Sequence, residues 1–164
     1  MSLLEICERL ETTWLAVLIQ ESRYGFPLVV GIHILGLTLS VGTLLWVDLR
    51  MAGVALRRAR VTEVYHALAP WFLVGFTVML LSGAVLFTAF ASSAYANVYF
   101  RLKVAAIVLA GVNAFAFHFV IPTNAAAWDE RERPPAAVQI SGITSLVLWA
   151  SVVLAGRMMS YTMF

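Results

Sequence analysis

A single cysteine, Cys7, stands among 164 residues. It excludes an intramolecular disulfide and any cysteine-based zinc or iron–sulfur centre within one chain. Charge is also scarce: Asp, Glu, Lys and Arg make up 12% of the chain, against 62% hydrophobic residues. Soluble domains carry about twice that share of charge. The net charge of +2 is small, and the basic residues flank apolar runs instead of forming a stripe, which excludes a nucleic-acid-binding surface. No nucleophile–base pair and no phosphate-binding loop is present, so hydrolase and kinase chemistry have no support. There is no internal repeat and no low-complexity segment.

What is present is apolar length. Four runs, 27–47, 68–90, 102–121 and 137–156, are each long enough to cross a hydrocarbon core of about 30 Å. The fold expected is an all-α integral membrane protein, a four-transmembrane-helix bundle forming a single membrane domain over 1–164. Glu5, Glu8, Arg9 and Glu11 replace the basic start of a signal peptide, so cleavage is not expected. Leu3, Leu4, Cys7, Leu10, Trp14 and Leu18 recur at helical spacing and predict an amphipathic interfacial helix over 2–22. An ordinary helix packed against the bundle fits the same pattern.

Local signals place the joints. Gly25-Phe26-Pro27 turns the N-terminal helix into the first span, where proline suits the first turn. Thr62 is expected to cap the second span, with Pro70 and Trp71 in its first turns. Residues 91–100 read as a polar connection, and Pro122 as the close of the third span. Asp129-Glu130-Arg131-Glu132-Arg133-Pro134-Pro135 reads as a plain solvated turn, and Asp48 mainly as an ion pair with Arg50 or a helix-end residue, with proton handling as the alternative. Arg50, Arg57, Arg58, Arg60, Arg131 and Arg133 fall on one side, and Arg9, Arg23, Arg101, Lys103 and Arg157 on the other. The arginine bias puts the first group in the cytoplasm of a bacterial inner membrane, making the protein multi-pass with both termini periplasmic.

Three histidines, His33, His66 and His118, lie in or beside the spans. An ionisable ring in hydrocarbon is costly and asks for a compensating partner. His33 is predicted about 9 Å inside the outer face, and His66 and His118 near the inner face, about 15–20 Å away along the normal, so all three are not expected at one metal ion. Gly36, Ser40 and Thr43 share a face with His33, and Gly111 and Ala114 share one with His118. Small residues let helices approach closely, and they also leave a flat slot beside an imidazole. A porphyrin needs such a slot and a nitrogen ligand. Arg101, Lys103 and Arg157 are placed to meet propionates near His33, and Arg57 or Arg58 near His118. Met158, Met159 and Met163 suit copper or an axial thioether. Against these readings stand a histidine hydrogen-bonded to a neighbouring helix, glycines used for packing, and methionine as apolar filler.

His33-Ile34-Leu35-Gly36-Leu37, with Gly42 and Trp46, resembles the H-x-x-G…W pattern in the first span of many small bacterial membrane proteins. Gly75-Phe76 through Ser82-Gly83-Ala84-Val85-Leu86-Phe87, followed by Tyr99-Phe100-Arg101-Leu102-Lys103, resembles a stretch of the copper-resistance protein D membrane domain. The chain is similar, more closely, to an uncharacterised four-span bacterial family with a histidine ending its third span. The resemblance covers residues 24–160. It implies that His33 and His118 are cofactor ligands; His66 has no counterpart in it. Small b-type membrane cytochromes share the plan by analogy.

The function expected is haem-b binding, with one or two haems, and electron transfer between a quinol or a periplasmic redox partner and an acceptor. That would make it an oxidoreductase component, although no catalytic residue is assigned. The alternatives are copper handling through His33 and the outer methionines, and a cofactor-free structural or assembly subunit. Besides membrane lipid, the partner expected is a second or third copy of the chain, as a dimer or trimer.

Overall fold

The structure is a computed structural model that describes residues 2–120, 129, 131 and 133–163, with backbone alone at 118–120. In chain order its helices are α1 (Leu3–Glu11), α2 (Trp14–Glu21), α3 (Gly25–Met51), α4 (Val61–Ala89), α5 (Ala91–Ala96), α6 (Val98–Val120) and α7 (Ala136–Met163). Four of them, α3, α4, α6 and α7, are long and apolar enough to cross a membrane. No strand occurs among the described residues.

The spanning helices run beyond the apolar runs that mark them. α3 has 27 residues, or about 40 Å at the helical rise. It continues through Asp48 and Arg50 and stops where Gly53 takes φ +71°. α4 begins at Val61, so Pro70 lies in the helix interior instead of its first turns. Without a proline N–H, the His66 carbonyl loses its usual partner one turn on. α7 passes Arg157 and ends at Met163. Apolar counting misses these turns because a charged residue ends an apolar run in sequence even where, as at Asp48 and Arg50, the fold buries it inside the continuing helix. The predicted closure at Pro122 lies outside the described residues.

The N-terminal segment is two helices, not one over 2–22. A capping box opens α1: the Glu5 amide donates to Ser2 Oγ at 3.2 Å, and the Ser2 amide donates to Glu5 Oε2 at 3.1 Å. The Thr12 and Thr13 hydroxyls donate back to the Arg9 and Leu10 carbonyls, marking the break before α2. Both helices pack across one end of the bundle through Cys7, Ala16 and Ile19. There the Glu11 carboxylate accepts from the Ser92 amide at 2.8 Å, and Gln20 Nε2 donates to the Ala89 carbonyl at 2.6 Å. Residues 91–100, expected as a plain connection, contain α5, with Ala91 and Ala94 buried beneath α1. Trp14 and Leu18 stay exposed on the far face, so packing and an outward apolar surface coexist. This is called the capped end below.

In the spanning region α3 pairs with α4 and α6 with α7, while α3 also packs on α7. The α3–α4 contact is backbone to backbone: a Cβ added at Gly75 would lie 2.5 Å from the Ser40 amide, and one at Gly36 2.7 Å from the Met79 amide. α6 and α7 are joined toward the arginine-rich end by Asn113 and Ser141. Asn113 Nδ2 donates to the Ser141 carbonyl at 3.1 Å, and Ser141 Oγ donates to Asn113 Oδ1 at 3.2 Å. Met79, Ala106, Ala110, Trp149 and Val152 form the core between the pairs.

The opposite, arginine-rich end departs from expectation in three ways. Arg50 is 1% exposed and makes no ion pair with Asp48; its Nε donates to the Ala59 carbonyl at 2.6 Å and Nη2 to the Arg131 carbonyl at 3.0 Å. Arg60, not Thr62, is the N-cap residue of α4, and the capping oxygens come from Asp129, which accepts from the Thr62 amide at 3.0 Å and from the Thr62 hydroxyl. Asp129 is buried, so the acidic–basic run before α7 is anchored at Asp129 and Arg131 instead of lying free in solvent. Its string of charges hides a helix cap and a carbonyl ligand for arginine.

Candidate ligand cleft at the capped end

His33 lies eight residues into α3 and Ser82 seven residues before the end of α4. In an antiparallel pair this puts both about 11–12 Å from the capped end. The two meet: His33 Nδ1 is 3.1 Å from Ser82 Oγ. Ser82 Oγ in turn donates to the Val78 carbonyl at 2.6 Å, one turn back on its own helix. Ser82 Oγ also lies 3.2 Å from the Met79 carbonyl, so two backbone acceptors compete for its one proton. In the tautomer with the proton on Nδ1, His33 donates to Ser82 and Nε2 carries the lone pair. Gly83 makes room for the ring, because a Cβ there would lie 3.1 Å from His33 Cε1.

The imidazole borders a cleft of about 310 Å³ between α3, α4, α6 and α7. Its apolar wall includes Phe26, Phe87, Phe90 and Phe100. Phe87 and Phe100 stack at 5.3 Å, and Phe26 meets Phe90 edge-on at 5.3 Å. Lys103, Arg157, Met159, Ser160 and Met163 border the same space. Lys103 lies against α7 with Nζ 3.8 Å from the position of a Cβ on Gly156, and no carboxylate lies on the wall among the described residues. Arg157 donates to the Tyr161 hydroxyl at 3.0 Å and lies over its ring. The exposed Ile34 and Val153 border the cleft where α3 faces α7.

Of the residues singled out in the sequence, His33, Lys103, Arg157, Met159 and Met163 come together here. Arg101 is exposed and donates to the Ala96 carbonyl at 3.4 Å, and Met158 is exposed outside the wall. Gly36 offers no slot, since the α4 backbone fills the space beside it. Gly111 lies on an exposed face of α6 with nothing within 4 Å of an added Cβ. His66 is exposed beside Tyr65, at a ring distance of 5.6 Å, and sits about 24 Å along α4 from Ser82. The His118 side chain lies outside the described residues. No group of three or more His, Cys, Asp or Glu side chains is gathered for a metal ion among the described residues.

Sequence reasoning did not assign Ser82, Gly83, Phe87, Phe100 and Ser160 to this site. Matching the depth of His33 to Ser82 across an antiparallel pair is the signal that finds the first two.

The fold and the cleft define a multi-pass α-helical membrane protein with a ligand-sized space at one end of its bundle. The chain belongs to a family of unknown function, DUF6644, which it matches over residues 8–162. No curated protein and no solved structure matches it.

Proposed function

We propose that the capped-end cleft holds haem b and that the protein moves electrons in a bacterial inner membrane. The observation that carries this reading is the hydrogen-bonded chain from His33 through Ser82 to Val78. It fixes the ring and leaves Nε2 as a ligand atom, the arrangement that orients metal-binding histidines generally. The rest of the wall fits the same group. Phenylalanines suit a flat apolar ring, Lys103 and Arg157 would meet two acidic side arms, and the Met159 or Met163 thioether would supply a further ligand atom. Bound there, haem would supply one-electron chemistry. His33 would hold it, the cations would neutralise its carboxylates, and the aromatic wall would keep water out.

A space of about 310 Å³ is at the small end for ligand sites. The flank bordered by Ile34 and Val153 leaves room for a ring edge, and a second or third copy of the chain would cover it. The arginine-rich end would face the cytoplasm and both termini the periplasm, where a redox protein would dock. A second haem, held by His118 near Arg57 or Arg58, belongs to the same proposal.

Copper handling is a second reading, favoured by Met159 and Met163 lining the same cleft as His33. Purified protein from haem-replete cells separates the two. A Soret band that His33→Ala lowers, by half where a second haem is present, and His66→Ala keeps supports haem. Equal haem in wild type and His33→Ala overturns the ligand assignment. A colourless protein whose copper content falls in His33→Ala supports the second reading.

A further inference from the structure

We infer that the groove between α3 and α7 toward the arginine-rich end is a second ligand site, reached from the lipid, that takes a hydroquinone headgroup. This deepens the electron-transfer reading by naming a donor class and rests on it for its purpose, though binding is measured without it. The groove encloses about 390 Å³ and is walled by Val41, Leu44, Leu45, Leu146, Trp149 and their neighbours. One charged residue lies on that wall among the described residues: Asp48, 3% exposed. Ser145 on α7 is buried as well, at 7% exposed. Arg50, two residues on, is turned to the Ala59 and Arg131 carbonyls, and no cation reaches Asp48 within ion-pair distance among the described residues.

The chemistry of the wall selects the occupant. An acyl chain alone would leave the acceptor capacity of Asp48 unused, and a lipid phosphate would face a carboxyl group with no cation beside it. A phenolic hydroxyl donates to a carboxylate and needs no counter-charge. Trp149, 6% exposed, supplies the aromatic part of the wall against which the ring would lie. Behind Trp149, Phe72 and Phe76 meet it edge-on at 6.4 and 6.3 Å and hold it in place. Leu45 and Leu154, both exposed, form the lipid-side rim. An alkyl tail would lie past Val153, which borders both this groove and the capped-end cleft.

The test is equilibrium binding of tritiated decylhydroquinone, kept anaerobic, to the protein in phosphatidylcholine nanodiscs, with uptake by empty discs subtracted. Saturable binding near one per chain is expected, weakened about tenfold or more by Asp48→Asn. Leu154→Trp fills the groove from its exposed rim without touching the core. It should abolish binding, and it decides the matter if the Asp48 variant fails to fold. Uptake no greater than by empty discs overturns the site, as does unchanged affinity in Leu154→Trp or in a folded Asp48→Asn. The Soret band of the same wild-type discs reports the capped-end reading separately. Binding without the band keeps the groove and rejects haem, and the band without binding rejects the groove alone.

Discussion

The two ends of the bundle handle their cations in opposite ways. At the arginine-rich end Arg50 is nearly sealed from solvent and bound to two loop carbonyls, while Asp129 caps α4 from a distant segment. At the capped end Lys103 and Arg157 border an accessible cleft with an imidazole and no carboxylate among the described residues. A buried guanidinium tied to backbone through Nε and Nη2 fixes a fold, even with Nη1 left without a partner among the described residues. Charge left facing a cavity without an acidic partner points to something that binds there. The difference separates cations tied to backbone from cations left facing a cavity, in a chain where both types sit near helix ends.

The largest effect should come from breaking the frame that both ends share. Gly75→Val drives a side chain into the α3 backbone, which has no rotamer to yield, so the cost should exceed the roughly 1–3 kcal/mol of ordinary overpacking. Loss of monodisperse protein on size-exclusion chromatography checks it. Next, Arg50→Ala should destabilise by about 3 kcal/mol or more, since the Ala59 and Arg131 carbonyls lose charged donors. Thermal unfolding in detergent measures it, and a neutral result would remove the contrast between the ends. At the capped end the sign reverses for ligand and fold. Lys103→Ala should leave unfolding almost unchanged while lowering haem content. Ser82→Ala should weaken haem retention about tenfold through the loosened His33 ring, read by haem transfer to apomyoglobin. The smallest effect belongs to Arg101→Ala. Its guanidinium is exposed, so both stability, within about 0.5 kcal/mol, and haem content should hold.

The spans were legible because an apolar run of membrane length has few other uses, and the four helices follow from it. Their ends were not, because Asp48, Arg50 and the turns around Pro70 continue helices that apolar counting cuts short. Residue type alone marked His33, Lys103 and Arg157. What type does not encode is the register between helices, which decides that Ser82 meets His33 and that Gly36 meets Gly75. Gly36 was visible as a small residue, yet only its partner shows that the space beside it is filled by backbone and closed to a ligand. The segment around Asp129 misled for the opposite reason. Its composition is that of exposed chain, and its burial depends on Arg50 and on Thr62, 67 residues away.

The Gly36–Gly75 crossing carries a mechanical consequence. Two rods touching backbone to backbone have no slack at the point of contact, so α3 and α4 can change their mutual tilt there but not draw nearer. The crossing is a fulcrum, and His33 and Ser82 lie on one arm of it, between the pivot and the capped end. Rocking about that pivot that widened the space beside His33 would swing the other arm inward, so the two ends of this hairpin are geared to each other through a single point of contact.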